Sequence, residues 1–181
     1  MRMAMTTTEP PFRTGVPTRT LLVNPAFLQE IKDSNPDLWQ AIHELRQSCE
    51  SQGDPERTAK RLVRQLDELR VLVSLQFALE ESYGFVEVAP SAARSPFFEM
   101  AERIHAQHYS LFLRLSDLAE QAEEYQYRGV AAECLPELIT KSRAFDSALR
   151  DHERLENDLI ELAYEGSIGG GKFSSESRRS K

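Results

Sequence analysis

The chain has 181 residues, 40% of them apolar and 28% charged, and its 22 Lys and Arg against 29 Asp and Glu give a net charge of -7 at pH 7. That length supports a single domain with its own core, while the acidic balance argues against nucleic acid or an anionic membrane as the main partner. Two cysteines, Cys49 and Cys134, are too few for a disulfide framework or a thiolate metal site, so a reducing, cytoplasmic location is the simplest expectation.

Residues 1–20 are rich in Thr and Pro and lack the apolar stretch of a signal peptide. They are expected to be a disordered N-terminal segment, and the small, polar, basic run GGGKFSSESRRSK over 169–181 a disordered tail. Residues 21–168 hold the folded part. A short turn at Asn24–Lys32 offers Phe27, Leu28 and Ile31 for packing. Asp33-Ser34-Asn35-Pro36 then supplies capping oxygens and a proline for a first helix, which carries Leu38, Trp39, Ile42, Leu45 and Cys49 and stops by Gly53. Asp54-Pro55-Glu56 opens a second helix that runs to Gly84. The segment Phe85-Val86-Glu87-Val88 has strand character but no evident partner, so it reads as loop. Ser95-Pro96 starts a third helix, ending at Gly129, and Leu135-Pro136-Glu137 a fourth, ending at Gly166. The longest apolar stretch, Val71 to Leu79, is broken by Ser74 and Gln76, too short and interrupted for a membrane span. Four long helices with short to moderate connections predict an all-α, up-down-up-down four-helix bundle.

The seams of these helices carry the chemistry. In the second helix the inward stripe reads Leu62, Leu66, Leu69, Val73, Gln76, Glu80, Tyr83. In the fourth it reads Leu138, Ser142, Phe145, Leu149, His152, Glu156, Leu159. Each is apolar and then polar at two successive seam positions. The third helix has one polar interruption, His108, between Ile104 and Leu111, and in the first His43 lies beside the apolar stripe. An unpaired buried carboxylate costs several kcal/mol or is forced neutral. Two carboxylates and two or three imidazoles on buried faces are most simply explained by a cation between them. Imidazole with carboxylate suits iron, manganese or zinc.

The order of these residues resembles the hemerythrin-like, HHE cation-binding family, in which each of two helix pairs has a histidine on its first helix and His-x-x-x-Glu on its second. His43 is followed by Gln76-Phe77-Ala78-Leu79-Glu80-Glu81, and His108 by His152-Glu153-Arg154-Leu155-Glu156. The likeness covers about residues 34–166. It implies a hemerythrin-like bundle with an iron site, of one or two ions, held by His43, Glu80, His108, His152 and Glu156. The glutamates would be the bridges and the histidines terminal ligands. It also implies a small diatomic ligand or peroxide, sensed or bound. Three departures stand out: Gln76 in place of a histidine, Tyr109 four residues after His105 where oxygen carriers have a second histidine, and Glu156 four residues after His152 where they have Asp after five. Reversible oxygen transport is therefore not expected, and His108, which lies on the seam, is preferred to His105 as ligand.

The alternative is a degenerate, metal-free bundle acting as an interaction module, with Gln76, Glu80 and Tyr83 in a buried hydrogen-bond network. In either case Glu81, Glu153 and Asp158 are expected at the surface, His105 on a solvated face, and Trp39, Phe97 and Phe98 in the core. An enzyme ranks third, since the chain has no Ser-His-Asp or Cys-His arrangement, phosphate loop or dinucleotide fingerprint.

Overall fold

The computed structural model describes residues 20–88 and 96–170. Most of both predicted tails, and the Ser95 helix start, lie outside them. The class is all-α: helices α1 (Pro25–Asp33), α2 (Pro36–Glu50), α3 (Pro55–Leu79), α4 (Pro96–Tyr127) and α5 (Leu135–Gly170), with strands β1 (Thr20–Val23) and β2 (Phe85–Val88).

The first three helices begin alike. Asn24, Asn35 and Asp54 accept hydrogen bonds from the backbone N–H groups of Phe27, Leu38 and Arg57, and a proline follows each cap. The proline lacks a donor where the helix has no acceptor for one. At the far end of α4, Gly129 takes φ +73°. Val130 N–H then reaches Tyr125 O at 3.0 Å and Gly129 N–H reaches Gln126 O at 3.1 Å, the paired bonds that close a helix through a left-handed residue. The expected turn at Asn24–Lys32 is a full helix, α1.

α3 packs on α2 and α4, and α5 packs on α4 and α2. Two apolar clusters result. One holds Leu62, Leu66, Leu69, Val73 and Phe77 of α3 with Leu111 and Leu115 of α4 and Phe145 and Leu149 of α5. The other holds Leu28, Phe85, Ala101, Ile104, Leu159 and Ile160. On α4 and α5 the passage from one cluster to the other crosses His108, or His152 and Glu156, so a polar layer lies between two apolar ones.

The sequence expectations fail at three places around that layer. β2 is not a loop: it pairs antiparallel with β1, Val23 opposite Phe85 and Thr20 opposite Val88, a partner too far upstream in sequence to be visible from β2. Tyr83 is not on the inner stripe. Beyond Leu79 the helix widens into a π turn, Glu80–Gly84, closed by Phe85 N–H on Glu80 O. The extra residue rotates the register, leaving Tyr83 56% exposed while Gly84 and Phe85 turn inward. Gly84 lies against α1: a Cβ there would stand 2.1 Å from Leu28 Cδ2, so only glycine admits α1 at this depth. Trp39, expected in the core, is at the surface, its indole N–H 3.4 Å from Lys32 O.

Candidate metal centre

α3 and the π turn bring Gln76 and Glu80 inward, α4 brings His108, and α5 brings His152 and Glu156. None is more than 1% exposed. One ligand atom each from Glu80, His108, His152 and Glu156 can be chosen so that all four lie within 4.8 Å of one another. Four of the five residues expected from the sequence therefore meet. The fifth, His43, does not. It is on the solvent face of α2, exposed, with its Nε2 2.9 Å from the Gln47 amide. Its place beside the apolar stripe is one helical step too far round to point inward. His105 is half-buried, packed edge-on against Phe85 at 5.9 Å.

The orientation of the two imidazoles is set from outside. His152 Nδ1 lies 3.1 Å from Gln107 Oε1, and His108 Nδ1 lies 3.3 Å from a Glu81 carboxylate oxygen. Both partners are acceptors, so each Nδ1 carries the proton and each Nε2 presents a bare lone pair. Phe77 stacks on His108 at 4.3 Å with the rings 10° from parallel and meets His152 edge-on at 5.4 Å, which fixes both rings further.

Neither Nε2 has a hydrogen-bond partner. Seven buried side-chain atoms among the described residues lack a hydrogen-bond partner, and four of them are Glu80 Oε2, His108 Nε2, His152 Nε2 and Glu156 Oε1, one from each converging residue. His108 Nε2 is 3.2 Å from Glu80 Oε2, yet the pair does not meet in hydrogen-bonding geometry. Two acceptors face each other there, an arrangement that calls for a proton or a cation between them.

The outer oxygens are held. The Gln76 amide donates to Glu80 Oε1, and the Asn35 amide donates to Gln76 Oε1 at 2.8 Å. On the other side Lys32 of α1 reaches Glu156 Oε2 at 3.0 Å and Glu153 Oε2 at 2.6 Å. Glu153, expected at the surface, is only 9% exposed, as is Lys32; Glu81 and Asp158 are exposed as expected. Nothing in the seam pattern signalled Lys32, Asn35 or Gln107. Lys32 and Asn35 belong to α1 and the α1–α2 junction, outside the four long helices, and Gln107 is off the stripe.

Burial dominates the electrostatics. It lifts the Glu80 carboxyl to about 8, the Gln76 hydrogen bond opposing. It lifts Glu156 to about 7, aided by the Glu80 charge and opposed by Lys32. Burial, with His108 and then Lys32 adding to it, pushes His152 down to about 3. His108 is lowered by burial against the pull of nearby carboxylates. Lys32 is also penalised by burial, but Glu156 and Glu153 together outweigh this and raise it. The layer thus holds neutral imidazoles and carboxyls inclined to keep a proton, the state from which a metal ion displaces protons.

Comparison with protein-family models, with curated proteins and with solved structures gives no match. No described helix is long and apolar enough to cross a membrane. What the structure carries is a buried two-histidine, two-glutamate cluster able to hold a metal ion.

Proposed function

We propose that this protein is a hemerythrin-like, non-haem iron protein whose centre is held by Glu80, His108, His152 and Glu156, and that it binds or senses dioxygen, nitric oxide or peroxide. The observation that carries the reading is that four buried residues with ligand atoms within 4.8 Å of one another each also leave one buried side-chain atom without a hydrogen-bond partner. The helix contacts support it: α2 on α3, α3 on α4, α4 on α5 and α5 on α2 is the neighbour pattern of an up-down-up-down bundle. Two imidazoles with carboxylate oxygens suit non-haem iron, and outward hydrogen bonds from both ring Nδ1 atoms are the usual support of metal-ligating histidines. Bound iron would supply a redox-active, electrophilic centre to which a small ligand can be drawn. The residues themselves orient the ligand atoms, exclude bulk water through Phe77 and Phe85, and hold the protons that metal entry displaces. The cytosol fits two cysteines that are both free thiols.

A second reading, a metal-free interaction module, is favoured by one feature: Lys32 already neutralises part of the cluster. Elemental analysis of untagged protein from iron-supplemented cells decides between them. Iron at about one or more per chain, lost in His152→Ala, is the expected result. Folded protein with metal at background would overturn it.

A further inference from the structure

The buried layer contains one cation of its own. Lys32 is 9% exposed, and its ammonium lies between Glu153 and Glu156 at 2.6 Å and 3.0 Å. Glu156 is divided: Oε2 accepts from Lys32, and Oε1 is the unpartnered atom of the four-residue cluster. Glu80 is divided in the same way, Oε1 taken by Gln76 and Oε2 left open. One oxygen of each glutamate, the inner one, is thus open, and the other, the outer one, is already satisfied.

We propose that Lys32 is a built-in second cation of this centre, and that it restricts the centre to one divalent metal ion per chain, with Glu156 joining the ion to the ammonium. This rests on the metal-binding reading above and departs from a pair of ions bridged by two glutamates. Charge supports it. Glu80, Glu153 and Glu156 ionised against one ammonium leave two negative charges, which a single divalent ion cancels; a second would leave an excess of buried positive charge. Position supports it as well. The ammonium holds the outer oxygen of Glu156, which a second ion bridged by that glutamate would need, and α1 cannot easily withdraw it, because Leu28 is seated against Gly84 and Asn24 N–H bonds Gly84 O at 2.8 Å.

The test is a calorimetric and optical titration of metal-free full-length protein with Co2+, whose absorption reports its ligands. Wild type is expected to saturate at one ion. Lys32→Met keeps the aliphatic stem but frees the Glu156 and Glu153 oxygens that the ammonium holds, and is expected to take up a second, weaker ion. Lys32→Arg keeps the charge and is expected to stay at one. Two ions in wild type, or one in a folded Lys32→Met, would overturn the role of Lys32 and leave the metal centre standing. No ion in any variant would instead remove the metal-binding reading itself. Should Lys32→Met not fold, nitrogen-15 spectra of the lysine ammonium groups in wild type decide. The Lys32 signal broadened by the first equivalent of Co2+ while still an ammonium supports the inference, and its release to solvent on metal binding refutes it.

Discussion

Two pairs of residues occupy matching seam positions on α3 and α5, and they behave differently. On α3 and the π turn that extends it, the Gln76 amide donates to Glu80 Oε1 and its carbonyl accepts from Asn35, which leaves only Glu80 Oε2 open. On α5, His152 and Glu156 do not interact with each other in this way. His152 turns its proton outward to Gln107, Glu156 gives one oxygen to Lys32, and each is left with one open atom. With an amide at position 76, this half of the layer presents a single open atom. The α5 half presents two, His152 Nε2 and Glu156 Oε1, so the two halves should respond unequally to damage.

The largest expected effect follows directly. His152→Ala removes a lone pair that nothing replaces, and metal content measured by elemental analysis should fall to background. Gln76→Ala should leave metal bound, because Gln76 supports Glu80 without offering an open atom. If the layer were only a hydrogen-bond network, His152→Ala would cost about 1–3 kcal/mol in chemical denaturation and metal content would be the same in both variants. Next in size is Glu156→Gln in metal-free protein. It strips Lys32 of one of its two buried carboxylates, and losing one partner of a buried ion pair costs about 3–5 kcal/mol. Urea unfolding should show it, with a smaller loss for Glu153→Gln at the edge of the layer.

What could be foreseen follows the same division. Glu80, His108, His152 and Glu156 were legible because each breaks an apolar stripe at regular helical spacing, and a long helix keeps that register faithfully. His43 was misplaced because a residue beside a stripe is one step of rotation from either face. Tyr83 was misplaced because a π turn adds a residue that periodicity cannot show. Lys32 and Asn35 were invisible for another reason. They reach the layer through the docking of α1, which depends on the missing side chain of Gly84 and on a β1–β2 pairing between segments about 60 residues apart. Tertiary approach of that kind leaves no periodic trace.

Smaller, and of opposite sign in the two states of the protein, is the response to pH. In metal-free protein Glu80 at about 8 and Glu156 at about 7 hold protons that the unfolded chain has released. Their contribution to stability is complete below the ordinary carboxylate value of 4.5 and is lost as pH rises through 7 and 8. His152 runs the other way: lowered to about 3, it contributes fully above its ordinary value of 6.5 and loses that contribution as pH falls towards 3. Between pH 6.5 and 8 only the carboxyl effect changes steeply, so metal-free protein should lose about 1.4 kcal/mol per pH unit for each carboxyl still protonated. Metal-loaded protein, with both carboxylates ionised, should instead bind more tightly over the same range and release roughly one to two protons per ion at pH 7. Denaturation with and without chelator, and calorimetry in buffers of different ionisation enthalpy, measure both. A parallel pH response in the two states would mean that metal does not reach Glu80 and Glu156.

The smallest effects separate the two histidines. Gln107→Ala leaves His152 Nδ1 without its acceptor, and loss of such a supporting hydrogen bond costs about 10–100-fold in metal affinity. Glu81→Ala removes the corresponding support of His108, but that carboxylate is 42% exposed and its contact is the longer, at 3.3 Å. Water can take its place, and Phe77 stacked on the ring still holds it in plane. Competition against a fluorescent chelator should therefore show Gln107→Ala the weaker binder of the two. The reverse order would mean that His108, set by Glu81, is the histidine whose aim limits the site.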